Sequence, residues 1–527
     1  MVRILFFTLA PASVLLIAAL SLVWPGAWWL LLVVGPFILL GVYDLLQTRH
    51  TIPRIYPVIG RLRYLFESIR PEIQQYFVET DTNGTPINRE FRSLVYQRAK
   101  GDRDTRPFGT QFDVYRPGYE WINPSLNPTP VAKQESRVRI GCSQCSQPYE
   151  ASHLNISAMS YGALSRNAIE ALNRGAKAGN FAHNTGEGGI SDYHRAGGGD
   201  LIWQIGTGYF GCRNHDGSFN PESFAEKASD AQIKMIEIKL SQGAKPGHGG
   251  ILPAAKVTPE IARIRDVPLG QDVISPPVHT AFDSPIGLLE FVARLRELSG
   301  GKPVGFKLCI GIKSEFLAIC KAMLETGITP DFITIDGSEG GTGAAPIELT
   351  NSVGTPMRDG LSFVHSALRG IGLRDQVKLI AAGKAISAFH ILRTMALGAD
   401  LINSARAMML ALGCIQSRSC NRNICPTGVA TQDPARYKQL NITDKAKRVA
   451  RYHNTTIHAM LELVSSAGLN DPSEVMPHHI YRRVNGPTIK TYADLYPGIE
   501  CDCLLNSGTV PPAWQDDWQR ADPARWA

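Results

Sequence analysis

The chain has 527 residues, 44% of them hydrophobic and 19% charged, with a formal net charge of +7. That length and balance suit a large folded core and exclude a disordered or fibrous chain. The basic residues are scattered without a Lys/Arg block, so nothing marks a nucleic-acid partner, and ten cysteines in a chain of this size point to metal or cluster chemistry in a reducing compartment before disulfides.

The first 47 residues stand apart. Ile4 to Trp24 is an apolar run interrupted by Thr8, Pro11 and Ser13, and Ala27 to Tyr43 carries no charge. Pro25-Gly26 between them is turn chemistry. A bilayer core of about 30 Å needs roughly 20 helical residues, so the pattern predicts a transmembrane helical hairpin. A cleaved signal peptide is the competing reading, and the second apolar run argues against it. Arg3 precedes the hairpin, and Arg49, Arg54, Arg61 and Arg63 follow it. The positive-inside rule then places both flanks and the bulk of the chain in the cytoplasm, at a multi-pass position in the inner membrane. Residues 48–140 read as a linker and packing region, helical near Gly60–Tyr76 and irregular later.

From Leu154 a regular alternation begins. Strand candidates are Leu154–Met159, Phe181–Asn184, Leu201–Ile205, Met235–Leu240, Pro303–Leu308, Asp331–Asp336, Val377–Ala382 and Asp400–Ser404. Helical patterns between them include Arg166–Ala178, Pro221–Ala231, Ile286–Leu298, Lys313–Glu325 and Ala388–Leu397. Eight strands with intervening helices predict an α/β fold, a parallel (β/α)8 TIM barrel over residues 141–475, followed by a C-terminal extension over 476–527. The alternative, an open doubly wound sheet, lacks the dinucleotide fingerprint.

Barrels concentrate function at the carboxyl ends of their strands. Five polar or glycine-rich motifs fall there: Ser157 to Gly162, Asn184 to Gly189, Gln242 to Gly247, Gly337 to Gly343 and Ala382 to Lys384. Such loops let backbone approach a flat, phosphorylated cofactor. The loops after strands 7 and 8, Gly383-Lys384 and Ala405-Arg406, are the expected phosphate position. Lys307 interrupts an apolar strand, where an unpaired ammonium is costly. It either stabilises an electron-rich cofactor edge, such as the N1/O2 side of a flavin, or reaches solvent at the strand tip. Lys239 and Lys245 are candidates for substrate carboxylates, and Glu187 for orienting a ring or accepting a proton.

The densest signal comes next. Cys414, Cys420 and Cys425 lie within twelve residues, spaced Cys-x5-Cys-x4-Cys and closed by Pro426. Structural zinc takes four ligands, usually in Cys-x2-4-Cys pairs. Three thiolates suit a three-iron cluster or a cubane with a non-protein fourth ligand; zinc with a remote fourth ligand and incidental buried thiols are the alternatives. Cys142 and Cys145, before the first strand, read as structural thiols.

Together these segments resemble the FMN-binding synthase domain of the glutamate synthase large-subunit family. The resemblance covers about residues 140–475. It is carried by Ile156 to Ser165, Thr185 to Gly189, Gln204-Ile205, Glu237 to Lys239, Gln242 to Gly247, Ile274 to Pro277, Gly340 to Ala344 and Cys414 to Gln432. It implies FMN, a 3Fe-4S cluster, and reduction of the imine of 2-oxoglutarate and ammonia to glutamate, with electrons from a carrier such as ferredoxin. By the same resemblance, Cys414, Cys420 and Cys425 are cluster ligands, and Ser157, Met159, Gln204, Lys307, Gly341, Gly383 and Ala405 are FMN contacts. Lys245 and Arg265 bind the oxo acid's carboxylates. The second function carried is a membrane-anchored amino-acid or amine dehydrogenase passing electrons to quinone.

Departures from the family pattern touch the substrate. Ile251 replaces a glutamine in Pro246-Gly247-His248-Gly249-Gly250-Ile251-Leu252-Pro253. Val278-His279-Thr280-Ala281 departs from a Pro-His-His-Asp run, and Ile286 stands for an acid. The chain opens Met1-Val2 and then the apolar runs, so no catalytic N-terminal cysteine for glutamine hydrolysis is expected.

Overall fold

The computed structural model describes residues 2–526. The chain divides into two compact units, residues 1–86 and 87–527.

In the first unit, α1 (Val2–Ser21) is followed by a 3-10 turn (Pro25–Leu30) and α2 (Leu31–Leu46). Both arms are long and apolar enough to cross a membrane, by length and composition. Gly41 lets them approach, because any Cβ there would strike the Phe6 ring. At the end of α2 the buried Asp44 carboxylate pairs with Arg61 at 2.7 Å and accepts the Val58 N–H. Arg61 opens α3 (Arg61–Ile73), which runs on into a π turn over Gln74–Val78.

The second unit holds a closed, eight-stranded parallel barrel. Its strands are β1 (Leu154–Ile156), β2 (His183–Asn184), β3 (Leu201–Ile205), β4 (Ile233–Lys239), β5 (Val304–Leu308), β6 (Phe332–Asp336), β7 (Lys378–Ala382) and β8 (Leu401–Ser404). Each pairs with its neighbours in sequence, and β8 closes on β1. All eight predicted strands recur, and closure removes the open-sheet alternative.

Side chains two residues apart along a strand share a face, which stacks the interior in layers. At the amino end Ile202, Met235, Phe332, Ile380 and Leu401 form an apolar layer. A hairpin of Val138–Ile140 with Tyr149–Ala151 adds Ile140 and Ala151 to it. One step up the strands the layer turns polar. Glu237, fully buried, accepts hydrogen bonds from Asn184 Nδ2 at 2.9 Å, Gln204 Nε2 at 2.6 Å and Thr334 Oγ1 at 2.7 Å. One step further stand Lys239, Lys307 and Asp336.

Outside the barrel, the segment expected to be irregular after Tyr76 holds a regular helix, α4 (Arg89–Lys100). Asn88 caps its first turn by accepting from Phe91 N–H, and Gly101 ends it in the left-handed region. These caps set its limits, although its composition is too polar to announce it. A strand at Glu120–Ile122 pairs antiparallel with Ile480–Asn485, which pairs with Thr488–Thr491. A 25-residue helix over Ile442–Ser466 packs along α4 and along α5 (Arg166–Gly179).

Candidate functional site

The charged layer opens at the carboxyl end of the barrel. Lys239 ends β4, and its ammonium pairs with the Glu187 carboxylate at 2.7 Å. Glu187 sits in the loop after β2, and the loop after β4 closes over it at Gly250, where a Cβ would come 2.6 Å from its Oε1. Burial alone would push the Glu187 carboxyl up, but the charges of Lys239, Lys245 and Arg265 outweigh it and hold it below its ordinary value. Glu187 is therefore a carboxylate near neutrality, able to hold cations or accept a proton but not to donate one.

Lys245 and Arg265 converge on the same carboxylate. Lys245 is buried and donates to Gly249 O at 2.7 Å. Burial brings its ammonium down to about 8, against the pull of Glu187. Arg265, the last residue of a short helix over Pro259–Arg265, donates to Tyr161 O at 3.0 Å and lies over the Phe210 ring. Burial lowers it to about 10, and its Nε has no hydrogen-bond partner. Gly188 makes room for it, since a Cβ there would lie 2.6 Å from its guanidinium. The three predicted catalytic residues are thus brought together.

Lys307 stands beside Lys239 in the β4–β5 register. It is 5% exposed, and no hydrogen bond or ion pair reaches its ammonium among the described residues. Asp336, ending β6, accepts from Gly243 N–H at 3.0 Å. Burial raises its carboxyl against the charges of Lys307, Lys239 and Arg406. Across the mouth, Ser157 N–H donates to Ser404 O and Met159 N–H to Asn184 O, tying the loop after β1 to β8 and β2. Ala405 follows β8 and leads into a helix over Arg406–Leu412. A Cβ at Gly341 would lie 3.4 Å from the Arg406 guanidinium. Burial and the neighbouring Arg406 charge both lower Lys384, which follows Gly383. The Glu339 charge opposes the lowering of both Lys384 and Arg406, and Arg406 donates to Glu339 O. Gln204, one layer down, spends its amide nitrogen on Glu237.

The thiol loop adjoins this mouth. A Cβ at Gly343 would lie 3.5 Å from Cys420 Cβ. Cys414 O accepts from Tyr96 OH at 2.7 Å, and Cys414 Sγ accepts from Gln416 N–H. Burial pushes the Cys414 and Cys420 thiols up, and each also feels the charge of Cys425. All three are free thiols. Among the described residues no group of three or more His, Cys, Asp or Glu side chains is arranged to hold a single metal ion. Ligands of a multi-iron cluster bind separate irons, so the lack of a single-ion arrangement does not count against that donor set.

Two residues escaped the sequence reading. Lys256 is buried, donates to Ala163 O at 2.9 Å, and its charge acts on Cys420 and Cys425. A lysine close to Val257 in the otherwise apolar Ile251–Val257 stretch was the available signal. His279 bridges Tyr209 OH at 3.0 Å and Lys239 O at 2.9 Å. Of the departures, Ile251 adjoins Gly250 at Glu187, whereas Ile286 is the second residue of the helix over Pro285–Leu298, and its N–H donates to Pro523 O in the C-terminal segment. A cavity of about 950 Å³ opens instead at the amino end, lined by Arg137, Tyr149, Asp200, Lys234 and Lys302. It contains none of the groups just described.

A closed parallel barrel with its buried, incompletely paired charges gathered at the carboxyl end is the architecture of a barrel enzyme. The family described as "Conserved region in glutamate synthase" matches residues 126–470, and the chain belongs to that family of oxidoreductases. It is 38% identical over 489 residues to the glutamate synthase large subunit-like protein YerD of Bacillus subtilis, covering 85% of this chain and 93% of that one. It is 36% identical over 316 residues to the archaeal glutamate synthase [NADPH] of Methanocaldococcus jannaschii, covering 60% of this chain and 59% of that one. The chain thus spans about three fifths of the archaeal relative. Among solved structures, a mutant of an (S)-mandelate dehydrogenase chimera overlaps 74% of this chain and 98% of that one, at 12% identity and a TM-score of 0.44, too low to inform the chemistry.

Proposed function

We propose that this protein is an FMN- and iron–sulfur-dependent oxidoreductase of glutamate synthase type, reducing the imine of 2-oxoglutarate, or of a related oxo acid, and ammonia to the amino acid. The observation that carries the reading is the Lys307 side chain, 5% exposed beside the Lys239–Glu187 pair, making no hydrogen bond or ion pair of its own while the Asp336 charge acts on it. A cation so placed suits an electron-rich cofactor edge. The neighbouring charges of Lys384 and Arg406 suit the cofactor's phosphate, and the three free thiols suit a 3Fe-4S cluster. FMN supplies hydride transfer when bound, and the cluster supplies one-electron relay to a carrier such as ferredoxin.

The chain's own residues hold the substrate. Lys245 and Arg265 offer two cations for the two carboxylates of the oxo acid, and Arg265 Nε keeps a free donor for one of them. Glu187, ionised, holds the cationic nitrogen of the protonated imine, or ammonium, near those carboxylates. Gly250 and the loop after β4 cover this group and exclude water, which strengthens each charge interaction. We read α1 and α2 as a membrane hairpin of the inner membrane, with the barrel on the cytoplasmic side. That reading favours a second role, an amino-acid or amine dehydrogenase delivering electrons to quinone.

The test is anaerobic purification in detergent, with flavin and iron assays and low-temperature EPR. The expected result is flavin absorbance and a three-iron signal, the latter lost in Cys420→Ser. Glutamate should form from 2-oxoglutarate, ammonium and a chemically reduced carrier. Protein reconstituted anaerobically that holds neither flavin nor iron overturns the reading. Turnover only in the oxidative direction, with a quinone analogue as acceptor, selects the second role.

A further inference from the structure

We propose that α3 is a membrane-surface helix, lying along the lipid headgroups with its apolar stripe in the acyl boundary. Its apolar residues are Leu62, Leu65, Phe66, Ile69 and Ile73, at spacings of three and four. At 100° per residue these five fall within one side of the helix. In a globular unit that stripe would face a core. Here no residue of α3 is buried; Leu65 is 52% and Phe66 59% exposed, and Phe77 in the π turn that continues the helix is 84% exposed. A run of large apolar side chains left in contact with solvent marks a surface meant for a partner.

Two features of the chain identify that partner as a bilayer. The first is continuity: α3 begins shortly after Pro25–Leu46, the 3-10 turn and α2 together, which by length and composition can cross a membrane. The Asp44–Arg61 pair ties the end of that span to the first residue of α3. The second is charge. Arg63 and Arg70, one heptad apart, flank the stripe on one side, and Arg49 and Arg54 precede it. Long basic side chains at the edge of an apolar stripe reach up to anionic headgroups while their stems lie on the acyl boundary. On the face opposite the stripe stand Tyr64, Glu67 and Ser68. Glu67 pairs with Arg63 at 3.0 Å and is neutralised, while Glu72 stands at the other edge of the stripe. Juxtamembrane arginines are attracted to an anionic leaflet.

The inference rests on the reading of α1 and α2 as a membrane hairpin. The full-length protein is expressed with a photoreactive benzophenone side chain in place of Phe66, or of Glu67 as control. It is reconstituted into liposomes of phosphatidylcholine and phosphatidylglycerol that carry a clickable phospholipid. Carbonate extraction is run on the same membranes. The expected result is carbonate-resistant protein whose position 66 captures lipid several-fold more than position 67, with capture falling in R63E/R70E. Resistant protein with equal capture at both positions overturns the membrane-surface helix and leaves the hairpin standing. Capture of a second copy of the chain at position 66 overturns it in favour of a dimer contact. Protein released by carbonate overturns the hairpin and the helix together.

Discussion

At the amino end of the barrel, Asp331 is fully buried, and every charge near it is accounted for. Its carboxylate accepts from Cys142 N–H at 2.7 Å, Val304 N–H at 2.8 Å and the Arg296 guanidinium at 2.9 Å. Arg296 in turn bonds Gln144 and Thr329 O. At the carboxyl end, Lys307 makes no hydrogen bond or ion pair and meets the Asp336 charge, Arg265 keeps an unbonded Nε, and the Arg406 charge acts on Lys384. Both ends bury charge at comparable depth. One saturates it and so fixes the strands and the hairpin that plugs them. The other leaves cations incompletely matched, which stabilises nothing in the protein alone and suits anionic ligands. Cys142 and Cys145 belong to the saturated end: burial and the Asp331 charge push both thiols up, Cys145 to about 11, which makes them poor nucleophiles.

The contrast breaks most visibly at Asp331. Asp331→Ala strands the Arg296 charge and two backbone donors, and should cost about 3–5 kcal/mol in urea unfolding. Activity per folded molecule should be unchanged, since no group at the carboxyl end touches it. A loss of activity without a loss of stability would mean the two ends are not separable. Arg265→Gln should do the reverse. Removing a charge-assisted contact to a carboxylate should lower kcat/KM for the oxo acid by about 100-fold, or about 2–3 kcal/mol, mostly through KM. Unfolding should change little. An unchanged KM would remove Arg265 from the substrate site.

Lys307→Met sharpens the comparison further, because it separates ligand binding from folding. Without ligand, the ammonium makes no hydrogen bond or ion pair and its charge meets that of Asp336, so unfolding should change by less than about 1 kcal/mol. Flavin retention should fall, read by absorbance after gel filtration. A variant that loses stability while keeping flavin would show that Lys307 is a structural residue.

The sequence displays the barrel readily because buried parallel strands are short apolar runs, and the glycine-rich loops mark their carboxyl ends. The thiol loop is visible for a related reason: three cysteines in twelve residues need no tertiary information. Residues whose meaning depends on distant partners are harder to read. The Glu237 hub joins β2, β3, β4 and β6, and in sequence it is one acid in an apolar strand. Lys256 meets the thiol loop across more than 160 positions of chain, through its own neighbour Ala255, whose carbonyl accepts from Asn423 at 3.0 Å. The helices Arg89–Lys100 and Ile442–Ser466 carry many charged side chains, and their faces become apolar only once each packs on the other. The helix expected near Gly60–Tyr76 forms over Arg61–Ile73, with none of its residues buried.

The smallest effect is a pH dependence at Lys245, which separates binding from folding within one residue. Burial holds its ammonium at about 8 against an ordinary value of 10.5, with Glu187 opposing the drop. The charged form, needed for a carboxylate, predominates below about 8, so KM for 2-oxoglutarate should be flat there. Above it KM should rise by at most about tenfold per pH unit. Stability should move the other way. Between about 8 and 10.5 the unfolded chain binds more protons at this residue than the folded one, so this group's contribution to stability increases as pH rises through that window. Lys245→Arg keeps its charge throughout and should abolish the rise in KM. If KM in the parent protein stays flat to pH 10, Lys245 does not bind the substrate carboxylate, and its ammonium serves only the Gly249 carbonyl and the Glu187 charge.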